Sequence, residues 1–290
     1  MMPGTGQTIT LSDGRNLGYA GFGDAQGQPV LFFHGQPGNR LFRHPDDAIA
    51  AALGIRLITI DRPGYGLSDY QPRRRLLDWS RDVTELADAL TLDRFAVLGF
   101  SAGGPYAAAC ACQIPQRLTR VGLVDSSPPM VLPEINREAP PALRLNYLLA
   151  RFAPSLLRLT FRLFWRYARG NPKAFIEMAV KQAPQADRDI LLRQEFYAMA
   201  LTTWQENIRV DCRGYVQDVE LLMRDWGFRL RDIRAEVHLW QGEADVNTPP
   251  AWGHYMAQEI PACRATFYPD EGHFALLSHW REILEVLTGD

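Results

Sequence analysis

Phe95-Ala96-Val97-Leu98-Gly99-Phe100-Ser101-Ala102-Gly103-Gly104 is the stretch on which the reading of this chain turns. Residues 95–98 are an apolar run with the length and flanks of a buried strand. Gly99-Phe100-Ser101-Ala102-Gly103 follows at once, and a helix of small residues runs on through Cys112. A strand, a tight turn and a helix are the setting of a nucleophile elbow. Side chains two places either side of the nucleophile would crowd such a turn, so Gly99 and Gly103 suit it. Ser101 is then pushed out at the carboxyl edge of a sheet, beside a helix N-terminus whose amides point at any anion forming there.

The same alternation extends outward. Apolar runs at 29–33, 56–60, 121–124, 237–240 and 265–268 each end in turn residues, as parallel strands buried on both faces do. Residues 8–11 and 17–21 read as a hairpin around Ser12-Asp13-Gly14. Gly21, Gly23 and Gly27 imitate a dinucleotide fingerprint, but the third glycine comes one place late and a turn is the better reading. Helical spacing of apolar residues appears over 76–90, 102–113, 252–260 and 276–287. The fold class is therefore α/β, with a mainly parallel twisted sheet flanked by helices. Between 130 and 225 no buried strand is evident, and helical patterns punctuated by prolines fill the segment. It reads as an inserted helical cap (130–225) dividing the core into a first part (1–129) and a second part (226–290).

Within the cap, residues 155–169 form an amphipathic helix. Arg151, Arg158, Arg162, Arg166 and Arg169 share one stripe, while Phe152, Leu156, Leu159, Leu163 and Tyr167 share another. The favoured reading is a solvated basic face and an apolar face on the core. Contact with a membrane surface or an anionic partner is the other, and one short helix is marginal as an anchor. The cap aromatics, Trp165, Phe196 and Trp204 among them, divide between cap core and pocket wall.

Composition limits the alternatives. The chain has 290 residues, 47% hydrophobic and 22% charged, with a net charge of -2. That composition is globular. The absence of a basic excess makes nucleic acid a poor partner. No apolar run is long enough to span a membrane, and residues 1–10 show no secretory leader. Cys110, Cys112, Cys212 and Cys263 form no Cys-x-x-Cys pair and read as free thiols in a reducing compartment. The location expected is cytoplasmic.

A serine hydroxyl needs a base. Of six histidines, His273 alone sits in a loop between the last predicted strand and the last helix, at the same sheet edge as Ser101. The base needs an acid to fix its tautomer and stabilise the imidazolium. Asp245 follows the 237–240 strand and is preferred; Asp125, at the end of the preceding strand, is the alternative acid. Glu243 and Asp270 read as solvated loop carboxylates. The oxyanion donors expected are the backbone N–H groups of Ala102 and of Gln36, because Pro37 has none to give. His34 and Gly35 read as shaping that loop.

The order Ser101, Asp245, His273, the His34-Gly35-Gln36-Pro37 turn and Asp61-Arg62-Pro63-Gly64-Tyr65-Gly66-Leu67-Ser68 together resemble a cap-bearing α/β-hydrolase fold protein. The resemblance runs over nearly the whole chain. It implies a serine hydrolase cleaving a small or medium carboxylic ester through an acyl-enzyme, with no metal and no organic cofactor. In the family, segment 61–68 is mainly structural. Family dehalogenases and epoxide hydrolases place aspartate at the elbow, where this chain has Ser101. Proline iminopeptidases usually carry tryptophan after the serine and a serine closing the elbow, where Ala102 and Gly103 stand here; the acidic cap residues they use would be sought among Glu195, Glu206 and Glu220. Such an aminopeptidase, a cofactor-free perhydrolase and a triad-retaining ligand-binding receptor are the alternatives. The partner expected is a small-molecule substrate, with no membrane span and a homodimer left open.

Overall fold

The computed structural model describes residues 6–289. Residues 1–5, part of the start read above for a leader, and Asp290 lie outside the described residues. Eight strands form one sheet: β1 (Gln7–Thr10), β2 (Asn16–Gly23), β3 (Gln28–Phe33), β4 (Ile55–Ile60), β5 (Phe95–Phe100), β6 (Leu118–Val124), β7 (Val237–Gly242) and β8 (Cys263–Tyr268). Their order is β1-β2-β4-β3-β5-β6-β7-β8. β2 runs antiparallel to β1 and β4, and every other pairing is parallel. The carboxyl ends of β3, β5, β6, β7 and β8 therefore share one edge, where ligands bind in open α/β sheets.

Alternation along each central strand feeds two cores. Leu31 and Phe33 of β3 point to one face, Val30 and Phe32 to the other. The first face is covered by α2 (Trp79–Ala89), α3 (Gly104–Gln113) and α11 (Pro250–Glu259); the second by α1 (Ala48–Ala52), α12 (Ala275–Ser278) and α13 (Trp280–Thr288). Between β6 and β7 come only helices: α4 (Pro133–Glu138), α5 (Pro141–Phe152), α6 (Pro154–Gly170), α7 (Pro172–Gln182), α8 (Gln185–Leu191), α9 (Gln194–Arg209) and α10 (Arg213–Leu222). Proline at the first turn opens α4 to α7, where its missing N–H costs no hydrogen bond.

Four expectations need correction. β8 is an edge strand, and Arg264, Ala265 and Thr266 are exposed rather than buried on both faces. The helix expected over 276–287 breaks at His279, which holds a non-helical conformation between α12 and α13. The helix expected from Ala102 begins at Gly104, after a 3-10 turn through Ser101, Ala102 and Gly103. The stripe of α6 expected on the core is turned outward: Leu156, Leu159, Leu163 and Tyr167 are 49–64% exposed, and Phe152 at the end of α5 is 73% exposed. The narrower set Leu157, Trp165 and Ala168 holds α6 to the molecule. Among the described residues no helix is long and apolar enough to cross a membrane.

A buried charge cluster joins the helices between β6 and β7 to the rest. Asp218 of α10 is fully buried. It accepts from Arg62 Nε at 2.9 Å, from the Tyr65 hydroxyl at 2.9 Å, from the Tyr106 hydroxyl at 2.6 Å and from Arg74. Arg62 turns its other nitrogens to the carbonyls of His34 and Gly35, and so braces the loop after β3. Burial alone would raise the Asp218 pKa, but the two guanidinium groups and the tyrosine hydroxyls outweigh it and hold the carboxyl below its ordinary value.

Asp218→Ala should cost about 3–5 kcal/mol, because it leaves two buried arginines without a counter-charge. Urea unfolding checks this. A depressed carboxyl pKa stabilises above the unfolded-state value of about 3.9. Asp218→Asn should therefore lower stability at neutral pH, and the difference from the parent should shrink as pH falls through the folded-state pKa.

Candidate active site

The elbow is built as its glycines require. β5 ends at Phe100, and Ser101 takes a left-handed φ of 53°. Such a backbone is costly for a residue with a side chain and is kept where surrounding structure enforces it. A Cβ on Gly99 would meet the Gly103 carbonyl and the Gly104 Cα; one on Gly103 would strike the Phe33 carbonyl. The turn can thus press against β3 only with glycine at both places. Ser101 is 7% exposed, enough to face the cavity above it.

That cavity has a volume of about 570 Å³ and lies between the sheet edge and the helices α5, α7, α8, α9 and α10. Ser101, Ala102, Gln36 and His273 all line it. His273 follows β8, and its Nδ1–H donates to Asp245 Oδ2 at 2.8 Å. No hydrogen bond joins the Ser101 hydroxyl to His273. Asp245 follows β7, and its other oxygen accepts from the Asn247 N–H at 2.7 Å and the Thr248 N–H at 3.0 Å. The Thr248 hydroxyl donates to Oδ2. Every acceptor direction of this buried carboxylate is thereby used.

Asp125 is differently placed. It is fully buried, also with a left-handed φ, at 44°. Its Oδ1 accepts the Gly242 N–H at 2.9 Å, its Oδ2 is unpartnered, and neither oxygen bonds to His273. Burial, reinforced by the negative charge of Asp245, raises its pKa well above the ordinary value. The two acids of the sequence reading thus differ: Asp245 touches the histidine, and Asp125 ties β6 to β7.

His34 is buried, its Nδ1 lies 2.7 Å from the Gly35 carbonyl, and burial together with Arg62 holds its pKa well below the ordinary value. It shapes the loop after β3, as expected. Gln36 is tied down by its side chain, whose Nε2 donates to the Tyr215 carbonyl at 2.7 Å. The Arg62 brace also shows what segment 61–68 does here: it holds the carbonyls of the loop that carries Gln36.

Asp187 of α8 was invisible to sequence reading. Its Oδ1 accepts the Phe274 N–H at 2.9 Å. A Cβ on Gly272 would collide with its carboxylate, so the turn bearing His273 closes directly on this helix. Asp187 Oδ2 is buried without a partner. Burial works to lower the His273 pKa, but the charges of Asp245 and then Asp187 outweigh it, and the pKa is raised. Of the aromatics between β6 and β7, Trp204 lines the cavity, with Tyr147 and Phe175 beside it; Phe175 stacks on Trp204 at 3.7 Å between ring centres. Trp165 and Phe196 are buried but lie outside the lining, and Phe152 and Tyr167 face outward. Glu206 pairs with Arg40 and Arg209, Glu220 with Arg158, and none of Glu195, Glu206 and Glu220 reaches the cavity wall.

A mostly parallel sheet with a serine at a strained strand-to-helix turn, and a histidine–carboxylate pair at the same edge, defines a class of α/β proteins. The chain belongs to the alpha/beta hydrolase fold family, whose sequence profile matches residues 28–279. It is 34% identical over 127 residues to a non-heme chloroperoxidase of Streptomyces lividans, a match covering 43% of this chain and 46% of that protein. It is 28% identical over 240 residues to a pimeloyl-[acyl-carrier protein] methyl ester esterase of Nitrosomonas europaea, covering 80% of this chain and 84% of that one. The chain spans less than half the length of the first relatives it matches. Among solved structures, a bromoperoxidase from Bacillus anthracis superposes with a TM-score of 0.73 at 22% identity, covering 99% of this chain and 100% of that one, which is a likeness of fold.

Asp187→Asn keeps an acceptor for the Phe274 N–H while removing a negative charge near the imidazole. It should lower the His273 pKa without unfolding the turn. NMR titration of the His273 ring in the parent and the variant checks this.

Proposed function

We propose that the chain is a serine hydrolase that cleaves small or medium carboxylic esters. What carries this reading is the His273–Asp245 hydrogen bond in a cavity that Ser101 also lines. In the proposal Ser101 Oγ attacks the acyl carbon while its proton passes to His273 Nε2. Asp245 fixes the tautomer and stabilises the imidazolium. The N–H groups of Gln36 and Ala102 receive the oxyanion, each worth roughly 2.7–4 kcal/mol of barrier in a dry site. The proton then goes to the leaving alcohol, and a water molecule, deprotonated by His273, resolves the acyl-enzyme to acid and free serine.

Asp245 is assigned the acid because its Oδ2 accepts from His273 Nδ1 at 2.8 Å, while neither oxygen of Asp125 bonds to the histidine. The helical segment 130–225 acts as the cap between the core parts 1–129 and 226–290. Its apolar wall of Tyr147, Phe175 and Trp204 suits an acyl or aromatic group. The cavity wall holds none of the three glutamates considered for binding a free amine, which favours the ester over the aminopeptidase.

The likeness to proteins named as a chloroperoxidase and a bromoperoxidase favours one second reading. Hydrogen peroxide in place of water would take the acyl group from Ser101 and leave as a peracid, able to oxidise bromide. Peroxide-dependent bromination in acetate buffer, abolished by Ser101→Ala, would support it.

A p-nitrophenyl ester series from acetate to laurate tests the main reading. Turnover should peak at one chain length, and Ser101→Ala or His273→Ala should lower kcat by about 10⁴–10⁶. Asp245→Asn should cost far more than Asp125→Asn, since of the two only Asp245 bonds to His273. Near-parental turnover by Ser101→Ala would overturn the mechanism. Tight ligand binding with negligible turnover would instead indicate a receptor.

The acid limb of kcat/KM should follow His273. Activity should rise as pH climbs through its raised pKa, and Asp187→Asn should move that limb to lower pH.

A further inference from the structure

α6 carries two apolar sectors, and only one of them is used inside the molecule. Leu157, Trp165 and Ala168 are buried. α6 turns Leu156, Leu159, Leu163 and Tyr167 outward, and the neighbouring α5 exposes Phe152, Leu148 and Leu145, each 52–73% exposed. Within each helix these positions recur every three or four residues, so α5 and α6 each carry an exposed apolar ridge, the two separated by the non-helical Ala153. Exposed apolar surface of this extent marks a contact surface.

The charge beside the ridge identifies what covers it. Between Glu138 and Glu177 the chain has six arginines, one lysine and no carboxylate, against a net charge of -2 for the whole protein. Arg158 is engaged by Glu220, and Arg169 by the carbonyls of Ile208, Arg209 and Val210, which hold α6 in place. Arg151, Arg162 and Arg166 are exposed and form no ion pair among the described residues. A two-fold contact between copies of this face would set arginine against arginine. An acidic protein surface would satisfy the arginines but gives the leucines and aromatics little depth to enter. A bilayer with anionic headgroups supplies both: phosphates for the guanidinium groups and acyl chains for the ridge.

We propose that the outer face of α5 and α6 is a docking surface for an anionic lipid bilayer, with the helices lying in the plane of the interface. The inner side of α5 contributes Leu143, Asn146 and Tyr147 to the cavity wall, so docking would bring the cavity close to the membrane surface. The inference does not rest on the ester-hydrolase reading.

Co-sedimentation of the full chain with phosphatidylcholine vesicles, with and without phosphatidylglycerol, tests it. Binding should require phosphatidylglycerol and weaken with salt. It should fall at least about tenfold in Leu159→Glu/Leu163→Glu and in Arg162→Gln/Arg166→Gln. All four positions are exposed, so thermal unfolding and p-nitrophenyl ester turnover should match the parent. Absence of binding to either vesicle would overturn the proposal, as would binding that both variants retain. A parent dimer that Leu159→Glu/Leu163→Glu converts to monomer, seen by light scattering, would also overturn it by showing that a second copy covers the ridge.

Discussion

Asp218 is the buried charge that ties the helices between β6 and β7 to the core and to the loop after β3. It lies on α10, yet its four partners come from the core: Arg62 and Tyr65 after β4, Arg74 before α2, and Tyr106 on α3. Through Arg62 its grip extends to the carbonyls of His34 and Gly35, next to Gln36. One carboxylate therefore sets the helices over the sheet and the loop expected to receive an oxyanion. A charge this deeply buried persists only when it is fully paired, and once paired it permits one arrangement of its partners. Asp187 makes the matching contact on the other side, closing on Gly272 and the Phe274 N–H beside His273. The two loops that frame Ser101 are thus each held from the helical layer above.

Between these braces the site follows from the topology. Parallel strands deliver the loops after β3, β5, β7 and β8 to one edge, so residues far apart in sequence meet without any unusual contact. The two acids there show how environment separates chemically identical groups. Asp245 has backbone and hydroxyl donors and a histidine, whereas Asp125 has one donor and an unpartnered oxygen. The first is built to hold His273, and burial together with the charge of the first pushes the pKa of the second up.

What the sequence revealed and what it hid divide along a physical line. Strands β3 to β7, the Ser101 turn and the loops of Asp245 and His273 were legible because each depends on local pattern: a short apolar run, a glycine where backbones touch, a polar residue just past a strand. Asp187, Asp218 and Thr248 left no local mark, because their partners lie elsewhere in the chain or depend on loop geometry. The outward ridge of α6 was misread for a different reason. Periodicity reveals that a helix has an apolar face but not which of two apolar sectors faces inward, and Leu157, Trp165 and Ala168 form a second sector that the first hides. The break at His279 had no proline or glycine to announce it.

The central claim is that Ser101 becomes covalently acylated with His273 as its base. Intact-mass analysis after exposure to a fluorophosphonate, followed by peptide mapping, tests this most directly. The account predicts one phosphonyl adduct per chain, on the peptide containing Ser101, formed far more slowly in His273→Ala and absent in Ser101→Ala. An unmodified parent chain, or an adduct on any other residue, would contradict it.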